Sequence, residues 1–265
     1  MTAFGDLDVS VIKHAPPGRG AIVTRWVSRQ ERQKAYQFIR ERLKAKKQVY
    51  FVYPRITGVE QAGDVKAATD EWEHLSRKVF PEFTVELLHG QMPSAKKQQI
   101  MAEFRRGKID VLVSTVVVEV GVDVPNATVM VVEGADQFGL AQLHQLRGRI
   151  GRSEAKSYCF LFAETDNDTA KSRLDIMTRS NDGFEIAEQD LRLRGPGEML
   201  STRQHGLPDL KIASIVDDFD LLVMARKNAF EMVSQDSMLT RAEHRNIRRA
   251  LLAKFGDAIG LADVA

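Results

Sequence analysis

The sequence predicts an α/β fold in which a parallel sheet is packed between helices. Two observations carry the prediction. Short runs that are apolar at nearly every position recur along the chain, and stretches with apolar residues three and four apart separate them. Strands apolar on both faces belong to sheets covered on both sides, and parallel neighbours need a crossover segment, usually a helix.

The elements follow in order. "SRQERQKAYQFIRERLKAKK" reads as a helix with Ser28 as N-cap and Glu31 completing a capping box, and Tyr36, Ile39 and Leu43 form its inward stripe. "QVYFVYP" is a buried strand stopped by Pro54. "DVKAATDEWEHLSRKVF" keeps helical spacing through Ala68, Trp72, Leu75 and Val79, and "TVELLHG" is the second strand. "PSAKKQQIMAEFRRG" is a helix that starts near Ser94 and stops at Gly107. "IDVLVST", "ATVMVVEG" and "SYCFLFA" complete a set of five strands, with "GLAQLHQLRGR" as the helix before the last. Trp26 and Trp72 read as packing residues. Ligands of such sheets gather at the carboxyl ends of the strands, which directs attention to the loops after Tyr53, Leu88 and Ser114.

The pattern changes after Ala163. Helical segments follow, interrupted by "RGPGEMLSTRQHGLPDLK", whose Gly and Pro content argues against a helix interior. The expected organisation is an α/β domain over residues 1–165, a hairpin and loop over 166–210, and a helical tail over 211–265. In that tail "RAEHRNIRRALLAKF" sets Ile247, Leu251 and Leu252 on one side and Arg241, Arg245, Arg248 and Arg249 around the rest, a helix that either docks on the body or contacts a polyanion.

Composition excludes several classes. At 265 residues, with 43% hydrophobic and 28% charged residues, the chain can bury a full core. The net charge of +2 is uninformative, but the basic residues are clustered, in 19–47 and again in 241–254. The single cysteine, Cys159, lies in an apolar run and permits no disulfide within the chain. No apolar stretch approaches about 20 residues, and the N-terminus lacks the order of a signal peptide, so a cytoplasmic protein without membrane contact is expected. The six histidines show no paired spacing, and no metal site is expected.

The chemistry gathers in "QLRGRIGR" (Gln145 to Arg152), three arginines and two glycines in eight residues. Guanidinium forks suit phosphate oxygens and stay charged at any physiological pH, so this octad is expected to read a nucleotide's phosphates. Upstream, "STVVVEVGVDVPNA" places a Ser-Thr turn after a strand and then Gly121, Val122 and Asp123. In this order, with a strand between them, the two stretches resemble the fifth and sixth motifs in the second, RecA-like motor domain of superfamily-two helicases. The longer runs "LLHGQM", "AEFRRGKIDVLVST", "DQFGLAQLHQLRGRIGRSEAKSYCFLF" and "GFEIAEQDLRLRGPGEMLSTRQHGLPDLKIA" resemble the RecG family of bacterial ATP-dependent DNA helicases.

That resemblance implies roles. Arg152 becomes an arginine finger and Arg149 a second cation on the terminal phosphates, with Gln145 arranging the site. Gly121 and Asp123 lie near the ribose or the metal-bound phosphates. Ser114 and Thr115 meet the nucleic-acid backbone, as does His89 through its neighbour Gly90, although His89 reads equally well as a packing residue. Arg194, Glu198, Arg203 and Gln204 couple ATP hydrolysis to movement on duplex DNA. The implied cofactors are ATP and Mg2+, and the implied partner is branched or forked double-stranded DNA.

Two parts of such a motor are absent from this sequence. The only Gly-Lys pair, Gly107-Lys108, lacks the glycine and hydroxyl residue of a phosphate loop, and the acidic "DEWEH" sits in an amphipathic helix. The resemblance therefore implies a first motor domain and a wedge domain in cis, and an isolated chain without ATPase activity. The rival readings are a non-catalytic interaction module of α/β fold and an unrelated nucleotide-binding α/β enzyme.

Overall fold

The structure is a computed structural model that describes residues 20–54, 62–115, 123–201 and 219–256. Its chain divides into two compact units, one ending at Gly195 and the other beginning at Pro196.

Among the described residues, the first unit is built on six strands: β1 (Ile22–Val27), β2 (Gln48–Tyr53), β3 (Val85–Leu88), β4 (Val111–Thr115), β5 (Ala127–Glu133) and β6 (Ser157–Phe162). Every pairing is parallel, in the order β1-β6-β5-β2-β4-β3. The five expected strands are all present, and β1 is a sixth that periodicity did not reveal. It forms an edge beside β6, and its exposed Arg25 breaks the apolar run.

Among the described residues, six helices lie or begin in this unit. Ser28 and Glu31 form the expected capping box on a 3-10 turn (Arg29–Glu31) that leads into α1 (Arg32–Lys44). Tyr36, Ile39 and Leu43 face the sheet as expected. α2 (Ala62–His74) ends in a wider π-type turn (Leu75–Val79). α3 (Ser94–Arg105) stops where Gly107 adopts a positive φ of 73°. α4 (Leu140–Arg147), α5 (Asp168–Arg179) and α6 (Gly183–Ser201) follow.

β2, β4 and β5 are buried along their whole length, which accounts for their unbroken apolar runs. One face packs Tyr36, Ile39, Phe51, Val113 and Phe160 under α1 and α2. The other packs Tyr50, Leu112, Met130, Leu143 and Leu161 under α3 and α4, and takes in Leu174 and Met177 of α5. α5, expected in the appended hairpin, is thus part of this core. Trp26 and Trp72 are packing residues, donating to the carbonyls of Ala163 (3.1 Å) and Val85 (2.9 Å).

A second difference lies in α6, which continues through Gly195-Pro196-Gly197, where the sequence argued for a loop. Proline's fixed φ is compatible with a helix and costs a local hydrogen bond rather than the whole element. Good helix formers flank the site on both sides.

In the second unit, α7 (Phe219–Gln235) leads through a turn to α8 (Arg245–Phe255). Asp236 holds that turn together. Its carboxylate accepts from the backbone of Thr240 (2.9 Å) and Arg241 (2.9 Å), and lies 2.8 Å from His244 Nδ1. These bonds hold the acid well below the usual carboxylate range.

Candidate functional site

Parallel strands joined by crossovers dictate where the octad falls. α4 starts beyond the carboxyl end of β5 and runs back along the sheet, so the turn after it arrives at the amino end of β6. Asp123 lies in the segment that enters β5 at the same edge. Arg152 Nη1 stands 3.6 Å from Asp123 Oδ1, so the structure brings the two motifs together although 28 residues separate them in sequence. The side chains are 24% and 53% exposed, respectively. A pair this open to water is worth about 0–1 kcal/mol and yields readily to a stronger anion.

The backbone of this turn is specific. Gly151 has φ +73°, and a Cβ built there would stand 2.8 Å from Ile22 of β1. Gly20 N donates to Ser153 O at 2.7 Å, which ties the entry to β1 onto the same turn. Arg152 is further steadied by a long contact from Nε to Gly148 O (3.4 Å). Arg149 is half-buried and makes no ion pair with a described residue, and Gln145 is exposed on the last turns of α4. Beneath them lies Tyr50 of β2. Burial pushes its hydroxyl up to about 12, against the opposing pull of the Arg152 and Arg149 charges.

The third arginine of the octad does something else. Arg147 is 2% exposed and donates to Met177 O (3.0 Å) and Ser180 O (2.8 Å), with a longer bond to Thr24 Oγ1 (3.4 Å). It cannot reach a phosphate in solvent. The expectation that the whole octad reads phosphates therefore fails for Arg147. A signal for this was available: Arg147 follows Leu140 and Leu143 on the inward stripe of α4.

The residues expected on nucleic acid occupy the opposite edge of the sheet. His89 and Gly90 follow the carboxyl end of β3, and Ser114 and Thr115 close β4, with Leu88 and Ser114 in register. His89 and Gly90 are half-exposed, and His89 Nδ1 is buried without a hydrogen-bond partner. Ser114 and Thr115 are fully enclosed, against the expectation of direct backbone contact. The reason is that β4 is an inner strand covered on both faces. Ser114 Oγ also lacks a partner. The residues expected on nucleotide and those expected on nucleic acid thus lie at different ends of the strands, and only the second set is at the carboxyl edge where ligands of such sheets usually sit.

Gly121, Arg203 and Gln204 lie outside the described residues, and Arg194 and Glu198 are placed only as backbone positions of α6. Sequence reasoning missed Tyr50, which looks like any buried strand aromatic, and a pair between Arg32 Nη2 and Glu133 Oε2 (2.6 Å) at the carboxyl end of β5. Among the described residues, no group of three or more His, Cys, Asp or Glu side chains could hold a metal ion, and no helix is long and apolar enough to cross a membrane.

A parallel sheet whose crossover helix delivers two solvent-facing arginines beside a carboxylate defines a class, the second RecA-like motor domain of a helicase. The chain belongs to the family of the helicase conserved C-terminal domain, whose model matches residues 18–154. The particular relative is RecG. Residues 180–257 match the model for the C-terminal part of domain 3 of the ATP-dependent DNA helicase RecG. The chain is 46% identical over 260 residues to the RecG of Synechocystis sp., an alignment covering 98% of this chain and 31% of that protein. It is 44% identical over 252 residues to the RecG of Bacillus subtilis, covering 95% and 37%, respectively. Among solved structures it is similar to RecG bound to a three-way DNA junction, with a TM-score of 0.64 and 44% identity, covering 83% of this chain and 28% of that one. The chain spans about a third of the length of the curated relatives it matches.

Proposed function

We propose that this chain is the second motor lobe of an ATP-dependent, RecG-like DNA helicase that remodels branched or forked double-stranded DNA in recombination and repair, in the cytoplasm. The observation that carries the reading is the solvated Arg152–Asp123 pair beside Arg149, which has no ion-pair partner among the described residues, on a chain 44% identical to RecG bound to a DNA junction.

The geometry suits phosphoryl transfer. Charge spreads over the transferring oxygens, and a guanidinium supplied across an interface stabilises it. Arg152 exchanges its weak contact with Asp123 for the terminal phosphate, Arg149 adds a second cation, and Gln145 orders the same site. Asp123 and Gly121 are assigned to nucleotide binding, Asp123 on the ribose or the metal-bound phosphates. The residues present fit phosphates and not Mg2+, since the site is two cations and one carboxylate. The ion and the phosphate loop belong to a first motor lobe in cis, so the isolated chain does not turn over ATP.

At the other edge, His89 and Gly90 are the open contacts for a DNA backbone. Ser114 and Thr115 support them from beneath rather than touching DNA. Arg194, Glu198, Arg203 and Gln204 carry the coupling between hydrolysis and movement.

The test uses the full-length protein. Arg152→Ala abolishes ATP turnover while nucleotide binding is largely retained, and Gln204→Ala keeps DNA-stimulated turnover but loses fork remodelling. Turnover unchanged in the Arg152 variant, or ATP hydrolysis by this chain alone with DNA present, sinks the assignment.

A further inference from the structure

The start of α8 carries charge that no described residue answers. Arg245, Arg248 and Arg249 are spaced i, i+3, i+4, which places three guanidiniums on one stripe of the helix. All three are exposed, and with Leu252 and Ala253 they line a shallow open hollow. None forms an ion pair with a described carboxylate. The nearby Glu243 is directed to Arg241 at 4.0 Å, and among the described residues Arg249 bonds only Asn246, at 3.3 Å.

This arrangement costs the helix stability twice. Like charges three and four residues apart repel. Cations in a first turn also oppose the helix dipole, and α8 has no acidic residue there to offset them. The turn that presents the arginines is nevertheless fastened, because Asp236 binds Thr240, Arg241 and His244 immediately before it. A local conflict held in a fixed geometry marks a surface whose favourable partner is an external polyanion.

We propose that Arg245, Arg248 and Arg249 form a phosphate-binding surface for the backbone of duplex DNA, additional to the residues at the sheet edge. The proposal rests on the DNA reading above. From Arg245 to Arg249 the helix rises about 6 Å, comparable to two phosphate steps of about 3.4 Å along one strand. Guanidinium forks match phosphate oxygens in pairs. An anionic membrane is the weaker partner, because the exposed large apolar residues described on this 11-residue helix are three, Ile247, Leu251 and Leu252, and Leu252 lies in the hollow beside the arginines.

The experiment measures binding of this chain to a duplex of arbitrary sequence across a salt series, for wild type, R245Q/R248Q/R249Q and R245K/R248K/R249K. Glutamine and lysine are both good helix formers, and circular dichroism checks that each variant folds. The glutamine variant is expected to bind at least about tenfold more weakly, with the slope of log affinity against log salt reduced by about 2–3, and the lysine variant to keep most of the slope. Equal affinity and slope for wild type and the glutamine variant overturn the proposal while leaving the wider DNA reading intact. A wild-type chain that binds no duplex at any salt overturns the proposal, and the wider DNA reading is then decided by the same measurement on the full-length protein. Arginine-dependent binding to phosphatidylglycerol–phosphatidylcholine vesicles with no effect on DNA replaces the proposal with a membrane contact.

Discussion

Arg147 caps the carboxyl end of α5: its Nη1 lies 2.8 Å from the carbonyl oxygen of Ser180 and 3.0 Å from that of Met177. These are last-turn carbonyls with no partner inside the helix, and a cation there is also favoured by the helix dipole. No carboxylate accompanies the buried charge; carbonyl dipoles solvate it. Removing the side chain leaves a cavity and two unsatisfied acceptors, so Arg147→Ala is expected to cost about 3 kcal/mol or more. Arg147→Lys loses the fork and keeps only part of this. Arg149→Ala and Arg152→Ala, on the exposed side of the turn, stay within about 0.5 kcal/mol of wild type. Urea unfolding followed by tryptophan fluorescence checks the series, since Trp26 and Trp72 both lie in the sheet unit. Equal losses at all three positions would remove the distinction between the buried arginine and the two proposed to meet the nucleotide.

The turn that carries Arg152 depends on Gly151. A side chain there meets two obstacles: the positive φ of 73° and the side chain of Ile22 at 2.8 Å. Gly151→Ala is expected to cost about 1–3 kcal/mol. Shortening Ile22 removes the second obstacle only. In the double variant Ile22→Ala/Gly151→Ala, which removes both the Cδ1 and the Cγ1 atoms that stand 2.8 Å from the added Cβ, the loss is therefore smaller than the sum of the singles. Strict additivity in a double-mutant cycle would place the strain wholly in the backbone.

Cys159 reports on the same core. It is fully buried in β6 between β1 and β5, and burial pushes its thiol up to about 12 despite the nearby Arg147 charge. The thiolate is the reactive form, so labelling requires the sheet to open. Labelling by a disulfide reagent at neutral pH is expected to be slow in the native chain and faster in Arg147→Ala. Rapid stoichiometric labelling of the wild type would contradict the packing of β6.

Much of this was legible in the sequence, for reasons that differ by element. β2, β4 and β5 are inner strands, and full burial makes each an uninterrupted apolar run. β1 pairs on one side only, and its exposed Arg25 hid it inside what looked like a basic stretch. The glycines and proline of "RGPGE" marked the join between two compact units rather than a helix end. In the octad, composition identified the arginines, but only helical phase separates Arg147 from Arg149. The division of the site between two sheet edges was implicit in the crossover of α4 and was obscured by the general rule about carboxyl ends.

Glu133 gives a pH dependence of determinate sign. It closes β5, is buried, and keeps Arg32 at 2.6 Å, while its Oε1 has no hydrogen-bond partner. Burial raises its carboxyl to about 7; Arg32 opposes the shift, and the Glu71 charge adds to it. The folded-state value lies above the ordinary 4.5, so folding favours the protonated form. The stability this contributes is fully present below about pH 4.5 and is lost as pH rises through 7. A shift of this size is worth about 3 kcal/mol at most. Glu133→Gln cannot ionise, so its stability relative to wild type is expected to improve steadily from pH 5 to pH 8, whatever constant offset the lost Arg32 contact introduces. Other titrating groups cancel in this difference. Urea midpoints of the two proteins measured across that range decide the matter, and curves that stay parallel mean that the carboxyl titrates as an ordinary surface acid.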